Sequence, residues 1–121
     1  MEMQEILAIY GTEYKQMTKT LLQEADLEER ILNKECKIGI KPNLVAPSEA
    51  SYGATTHSEI VAGIIEYLQE RDFSNLVMLE SSWVGDKTAE AAEACGYYEL
   101  SERYHVPFID LQKDTYQTYF C

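Results

Sequence analysis

The sequence has no two adjacent basic residues, no C-x-x-C pair, no glycine-rich phosphate loop and no long apolar run. Each absence excludes something. Lys and Arg total 10 against 21 Asp and Glu, giving a net charge of −11. No basic cluster exists to meet a nucleic-acid backbone or an anionic membrane surface. The cysteines, Cys36, Cys95 and Cys121, are widely spaced and odd in number, so the chain carries no iron–sulfur motif and no cysteine-built zinc site. Neither G-x-x-x-x-G-K-[ST] nor G-x-G-x-x-G occurs, so the usual nucleotide fingerprints are missing. No apolar stretch approaches a membrane span. Met1–Gln4 leads only into the short run Ile6–Tyr10, which is not a signal-peptide pattern. The expected setting is the cytoplasm, with reduced thiols.

What is present fits one globular domain. The chain has 121 residues, 45% hydrophobic and 26% charged, enough for a single core over 1–121. Glu5–Tyr10 is an apolar run stopped by Gly11, and it reads as a buried strand. Thr12 then caps a helix whose Tyr14, Met17, Thr18, Leu21, Leu22 and Ala25 recur at three-and-four spacing. That helix ends near Asp26 or continues to Leu32. Cys36–Ile40 reads as a strand that Lys41-Pro42 must stop, because proline cannot donate to a ladder. A long loop of small residues follows, through Ala54.

Thr56-His57-Ser58-Glu59 matches a capping box, with Thr56 as N-cap. Ile60, Val61, Ile64, Ile65 and Leu68 form the apolar stripe of the helix it starts. Asn75–Glu80 reads as a strand buried on both faces. Asp86 would cap a helix over Lys87–Cys95, and Gly96 would end it in a left-handed conformation. Tyr97–Tyr104 is a further helix and Pro107–Leu111 a further strand. Thr115–Phe120 alternates as a half-exposed strand does. The order is that of an α/β fold: a three-layer α-β-α sandwich, Rossmann-like, with a mostly parallel sheet of four or five strands. The chain stops at Cys121 directly after a strand pattern. That pattern predicts either the N-terminal part of a longer domain or an edge strand covered by a partner, as in a homodimer.

Several short stretches fall in a telling order. They are Ile40-Lys41-Pro42-Asn43-Leu44-Val45, Gly53-Ala54-Thr55-Thr56-His57, Trp83-Val84-Gly85-Asp86-Lys87-Thr88, Ala94-Cys95-Gly96-Tyr97 and Asp110-Leu111. Together they resemble the N-terminal part of the family called domain of unknown function 362. The resemblance runs from about Glu35 to about Asp114. It implies an uncharacterised α/β domain, usually longer than this chain. Many family members carry a fused ferredoxin-like segment with clustered cysteines; this chain lacks one, so an iron–sulfur role does not transfer. Two positions depart from the family pattern: Ser58 stands where proline usually follows the histidine, and Ser81 where glycine often precedes the serine.

If the strands are parallel, the loops after Lys41 and after Glu80 open at one edge of the sheet, where open α/β sheets bind ligands. The helix start at Thr55–Glu59 offers free N–H groups to a phosphate or carboxylate. Lys41, Asn43, Thr55, Thr56, Ser82 and Trp83 would bind a small anion there. His57, Glu80 and Asp86 are the candidates for acid–base work or for holding a divalent metal. Against this stand plainer readings: a capping box beside a surface loop, a solvated histidine, an acidic N-cap and a packed tryptophan. Ser81-Ser82 lacks the G-x-S-x-G elbow of a nucleophilic serine. Cys95 reads as a small buried hydrophobe rather than a redox thiol. The residues do not name a reaction or a cofactor. The competing reading is a non-catalytic interaction domain, paired through the edge strand at Thr115–Phe120.

Overall fold

A computed structural model describes residues 4–82, 87–115, 117 and 118. Its centre is a three-stranded parallel sheet in the order β1 (Ile38–Ile40), β2 (Leu76–Glu80), β3 (Phe108–Asp110). Ile38 pairs with Leu76 and Ile40 with Met78, while Met78 also pairs with Phe108 and Glu80 with Asp110. The central strand is therefore β2. It is the one made almost wholly of large apolar residues, as a strand paired on both sides must be.

The helices are α1 (Tyr14–Glu24), α2 (Ser58–Glu70), α3 (Thr88–Ala94) and α4 (Tyr97–Tyr104). α2 makes the crossover from β1 to β2, and α3 with α4 makes the one from β2 to β3. Right-handed crossovers that step the same way along a sheet put their helices on the same face. The core agrees: Ile40, Leu76 and Met78 meet Val61, Ala62, Ile65 and Leu68 of α2, Ala91 and Ala92 of α3, and Tyr97 and Leu100 of α4. The fold is thus α/β, with one helical layer on one sheet face among the described residues. The fourth and fifth strands and the second helical layer are not among them.

Helix ends show what sequence reading passes over. α1, α2 and α4 each give way to a non-glycine residue in the left-handed region: Asp26 (φ 51°), Asp72 (φ 66°) and His105 (φ 55°). Behind α2 this makes a full Schellman closure. The Phe73 N–H donates to Leu68 O at 3.0 Å and the Asp72 N–H to Gln69 O at 3.1 Å, and the Phe73 ring enters the core. Gly96 (φ 79°) ends α3 as its position predicts, and it is also the residue from which α4 starts.

Some expectations are corrected. Glu5–Tyr10 is not a strand; Ile6 is 91% and Tyr10 98% exposed, and only Ile9 tucks in, against α1. An apolar run becomes a strand only where a neighbour can pair with it, and no described strand lies beside this one. α1 starts from Glu13 rather than Thr12 and ends at Glu24, and the chain then makes a 3-10 turn over Leu27–Arg30. The N-cap of α2 is His57, one residue later than the capping box predicts, and no side chain caps it. Thr56 is otherwise engaged, because its hydroxyl accepts from the Asn43 N–H at 2.9 Å. α3 starts from Lys87, and the expected cap, Asp86, lies outside the described residues. Over Thr115–Phe120 the described residues Thr115, Gln117 and Thr118 form no strand, and the rest of that stretch lies outside the description.

Candidate functional site

The C-terminal ends of β1 and β2 bring Lys41 and Glu80 together. Glu80 ends the central strand and is only 3% exposed. A buried carboxylate must find donors for its lone pairs, and this one does. Oε2 accepts from the Leu44 N–H at 2.9 Å, Oε1 accepts from the Ser81 N–H at 2.8 Å, and the Lys41 ammonium lies 3.1 Å from each oxygen. Glu80 therefore joins the loop after β1 to the loop after β2. The Lys41 side chain is 56% exposed, so its charge is partly open to solvent at the ends of β1 and β2.

The loop from Asn43 to Thr56 is closed at its base by a ring of hydrogen bonds. The Asn43 N–H donates to Thr56 Oγ1, the Thr56 N–H donates to Asn43 O at 2.9 Å, and Asn43 Nδ2 donates to Ala54 O at 2.9 Å. From α4, the Tyr97 hydroxyl donates to Thr56 O at 2.7 Å. Tyr97 is fully buried, and that burial pushes its phenol far above the ordinary tyrosine range, so it stays a donor. Asn43 and Thr56 thus shape the loop with the same groups that were expected to meet a ligand. Gly53 (φ 90°) allows the turn that brings the loop back.

A second knot forms beyond β2. The Ser82 N–H donates to Thr88 Oγ1 at 2.9 Å, and Ser82 Oγ lies 3.2 Å from the same oxygen. Gln112, just after β3, donates to Ser82 Oγ at 3.2 Å and accepts from the Thr88 N–H at 2.8 Å. Ser82 and Thr88 are both buried. The knot brackets residues 83–86, and Trp83 and Asp86 lie outside the described residues. Sequence reading singled out Ser82 but not Thr88 or Gln112. Both lie within or beside stretches that carried the family resemblance, yet neither residue type announces a buried role.

The other expected site residues go elsewhere. His57 faces α1: its ring centroid is 4.6 Å from that of Tyr14, and Nδ1 is 3.9 Å from Glu59 Oε2. Thr55 is buried, and its hydroxyl lies against the Cys95 thiol. It belongs to the neighbourhood of Cys95, whose thiol donates to Ser48 O at 3.2 Å. Burial raises the Cys95 thiol above its ordinary value, which fits a packing residue better than a nucleophile. No three His, Cys, Asp or Glu side chains among the described residues gather as a metal ion would need.

A cleft of about 490 Å³ lies instead where α1, α2 and α4 begin, lined by Thr12, Tyr14, Lys15, Ser58, Glu59 and Arg103 among others. Lys41, Glu80 and Ser82 do not line it. Its cations are already engaged, Lys15 with Glu66 and Arg103 with Glu99. Among the described residues no helix is long and apolar enough to cross a membrane.

Residues 38–121 match the family model described as Domain of unknown function (DUF362), and the chain belongs to that family. The match covers every stretch on which the resemblance rests. It also covers both knots at the strand ends, and it leaves α1 outside. No curated protein and no solved structure matches the chain.

Proposed function

We propose that this chain is a ligand-binding α/β domain that takes a small anionic molecule at the C-terminal ends of its parallel strands. In this reading the three described strands belong to a Rossmann-like sheet of four or five, working in the cytoplasm. The observation that carries the proposal is the placement of Lys41. Its side chain is more than half exposed at the ends of β1 and β2, and its ammonium is held by a buried carboxylate. Glu80 is also anchored by the Leu44 and Ser81 amides. Glu80 thus orients the lysine and leaves the ammonium spare donor capacity for an incoming anion. Asn43 and Thr56 at the base of the loop and Ser82 beyond β2 belong to the proposed set, with Trp83 and Asp86, which lie outside the described residues, and with a divalent metal as an optional partner of the anion. His57, which faces Tyr14 of α1, drops out of it.

A thermal-shift screen against inorganic phosphate, carboxylates, nucleotides and divalent cations tests this. A ligand at about 100 times its dissociation constant adds roughly 2.7 kcal/mol of stability. The proposal expects such a shift from an anion and its loss in Lys41→Ala. A shift that survives Lys41→Ala, or no shift across the panel, sinks it.

The second reading is an interaction domain without chemistry of its own. What favours it is apolar exposure: Ile6 is 91%, Tyr10 98% and Leu32 94% accessible. Sedimentation equilibrium separates the two readings. A homodimer that loses association when Ile6 and Tyr10 become serine supports the second; a monomer at all concentrations removes it.

A further inference from the structure

The stretch Ile6–Tyr10 has the composition of a strand and no strand to join. Among the described residues it forms no helix, strand or turn, and its backbone makes no hydrogen bond to another backbone group. Its amides and carbonyls are those of an unpaired edge. Its side chains alternate. Ile6, Ala8 and Tyr10 are exposed, whereas Ile9 turns in against α1 and Leu7 is only 38% exposed. One face of the stretch is therefore bare and the other is directed toward the helices. Under that inner face lies an apolar groove of about 310 Å³, lined by Ile9 with Met17 and Leu21 of α1 and Ile60 and Ile64 of α2. The stretch precedes the family domain, which begins at Ile38, and it shares no residue with the strand-end site.

We propose that Ile6–Tyr10 pairs antiparallel with the same stretch of a second copy of this chain, about a twofold axis at Ala8. The proposal rests on the second reading above, an interaction domain, and gives that reading its contact. The stretch is complementary to itself in this register. Ile6 faces Tyr10 of the second copy, Leu7 faces Ile9, and Ala8, the smallest of the five side chains, faces its own counterpart on the axis. Every pair is apolar, and bare-face residues meet bare-face residues. Glu5 falls opposite Gly11, so no carboxylate faces another. Other registers are worse. Moving the axis to Ile9 sets Glu5 against Glu13, and moving it to Leu7 sets Tyr10 against Gln4. A slip by one residue pairs inward side chains with outward ones. Two copies at a net charge of −11 each repel, and Ile6–Tyr10 carries no charge. A two-stranded ribbon is marginal unless a helix backs it. Here the groove supplies that backing: Leu7 of the second copy stands beside Ile9 and fills the space between α1 and α2. The contact is isologous, so each copy fills the groove of the other.

Sedimentation equilibrium and cysteine cross-linking on the full chain test the pairing. Ala8 is exposed, so changes there leave the monomer intact. Ala8→Lys sets two like charges opposite each other at the axis and should weaken dimerisation at least about tenfold. Ala8→Cys should join two chains by a disulfide at that position under mild oxidation, because a residue on the axis faces itself. Ile6→Cys and Tyr10→Cys should not, because each lies about 13 Å along the ribbon from its own counterpart, beyond the roughly 7 Å that a disulfide spans. Peptide mapping separates these bonds from any made by the native cysteines. A dimer that survives Ala8→Lys, fails to cross-link in Ala8→Cys, or cross-links equally at all three positions overturns the pairing and leaves the interaction reading standing. A monomer at every concentration overturns both.

Discussion

The carboxylate of Glu80 accepts a hydrogen bond of 2.9 Å from the backbone N–H of Leu44, a residue 36 positions earlier in the chain. Through this bond the last residue of the central strand fixes the start of the loop that follows its neighbour. The same side chain holds Ser81 and Lys41. A change at Glu80 therefore acts on both loops at once.

Glu80→Ala should destabilise the domain by about 2–4 kcal/mol, since it leaves the buried Leu44 amide and the part-buried Ser81 amide without their acceptor. Lys41→Ala should cost less, about 1–2 kcal/mol, because the lysine is half exposed and the buried carboxylate keeps its two amide donors. Urea titration of both variants checks the order. Equal losses would show that the lysine, not the amides, carries the junction.

Thr88→Val should cost about 1–3 kcal/mol. It preserves shape but removes the oxygen that accepts from the Ser82 N–H, and Thr88 is fully buried. Gln112→Ala should loosen the same knot and cost less, because Gln112 is exposed. Chemical denaturation of the two variants decides, and a neutral Thr88→Val would remove the knot as a structural feature.

Glu66 supplies a pH dependence. Burial alone would raise its pKa, but donors from Tyr104, Lys15 and Lys19 outweigh burial and hold the carboxyl at about 2, against an ordinary 4.5. A folded-state pKa below the unfolded one means stability that is fully present above pH 4.5 and is lost as pH falls toward 2. The group is partly solvated, so the effect is about 1–2 kcal/mol rather than the full linkage value. Wild type should exceed Glu66→Gln in urea midpoint at pH 7, and the difference should vanish through that acidic window. A difference that persists at pH 2 would contradict the assignment.

Cys95 should resist alkylation. Its thiol is raised in pKa by burial and donates to Ser48 O. Peptide mapping after iodoacetamide treatment at neutral pH should show Cys95 unlabelled in the folded chain and labelled in urea. Rapid labelling in the folded state would mean that the Ser48–Cys95 contact opens readily.

Several elements were legible from residue order because one local pattern dominates each. The stripe of α2 matches Ser58–Glu70, the unbroken apolar run of β2 matches Leu76–Glu80, and Tyr97–Tyr104 is the helix expected there. Gly96 lies in the left-handed region as predicted, since glycine alone enters it without steric cost. The juncture of Lys41 with Glu80 follows from two parallel strands ending at one edge.

Other features depended on neighbours that are distant in sequence. Whether Glu5–Tyr10 becomes a strand depends on a partner, and the fold brings none beside it among the described residues. Thr56 has the chemistry of an N-cap, but Asn43 reaches its hydroxyl first, so the helix starts at His57 uncapped. Glu80 is a carboxylate on paper, free to act as acid, base or ligand. The tertiary structure surrounds it with the Leu44 and Ser81 amides and the Lys41 ammonium. Sequence by itself determined the periodic elements and the family, because those depend on residues within a few positions of one another. The partners of each polar group were decided only when the chain folded, because a hydrogen bond needs its donor and acceptor within about 3 Å, and only the fold sets that distance.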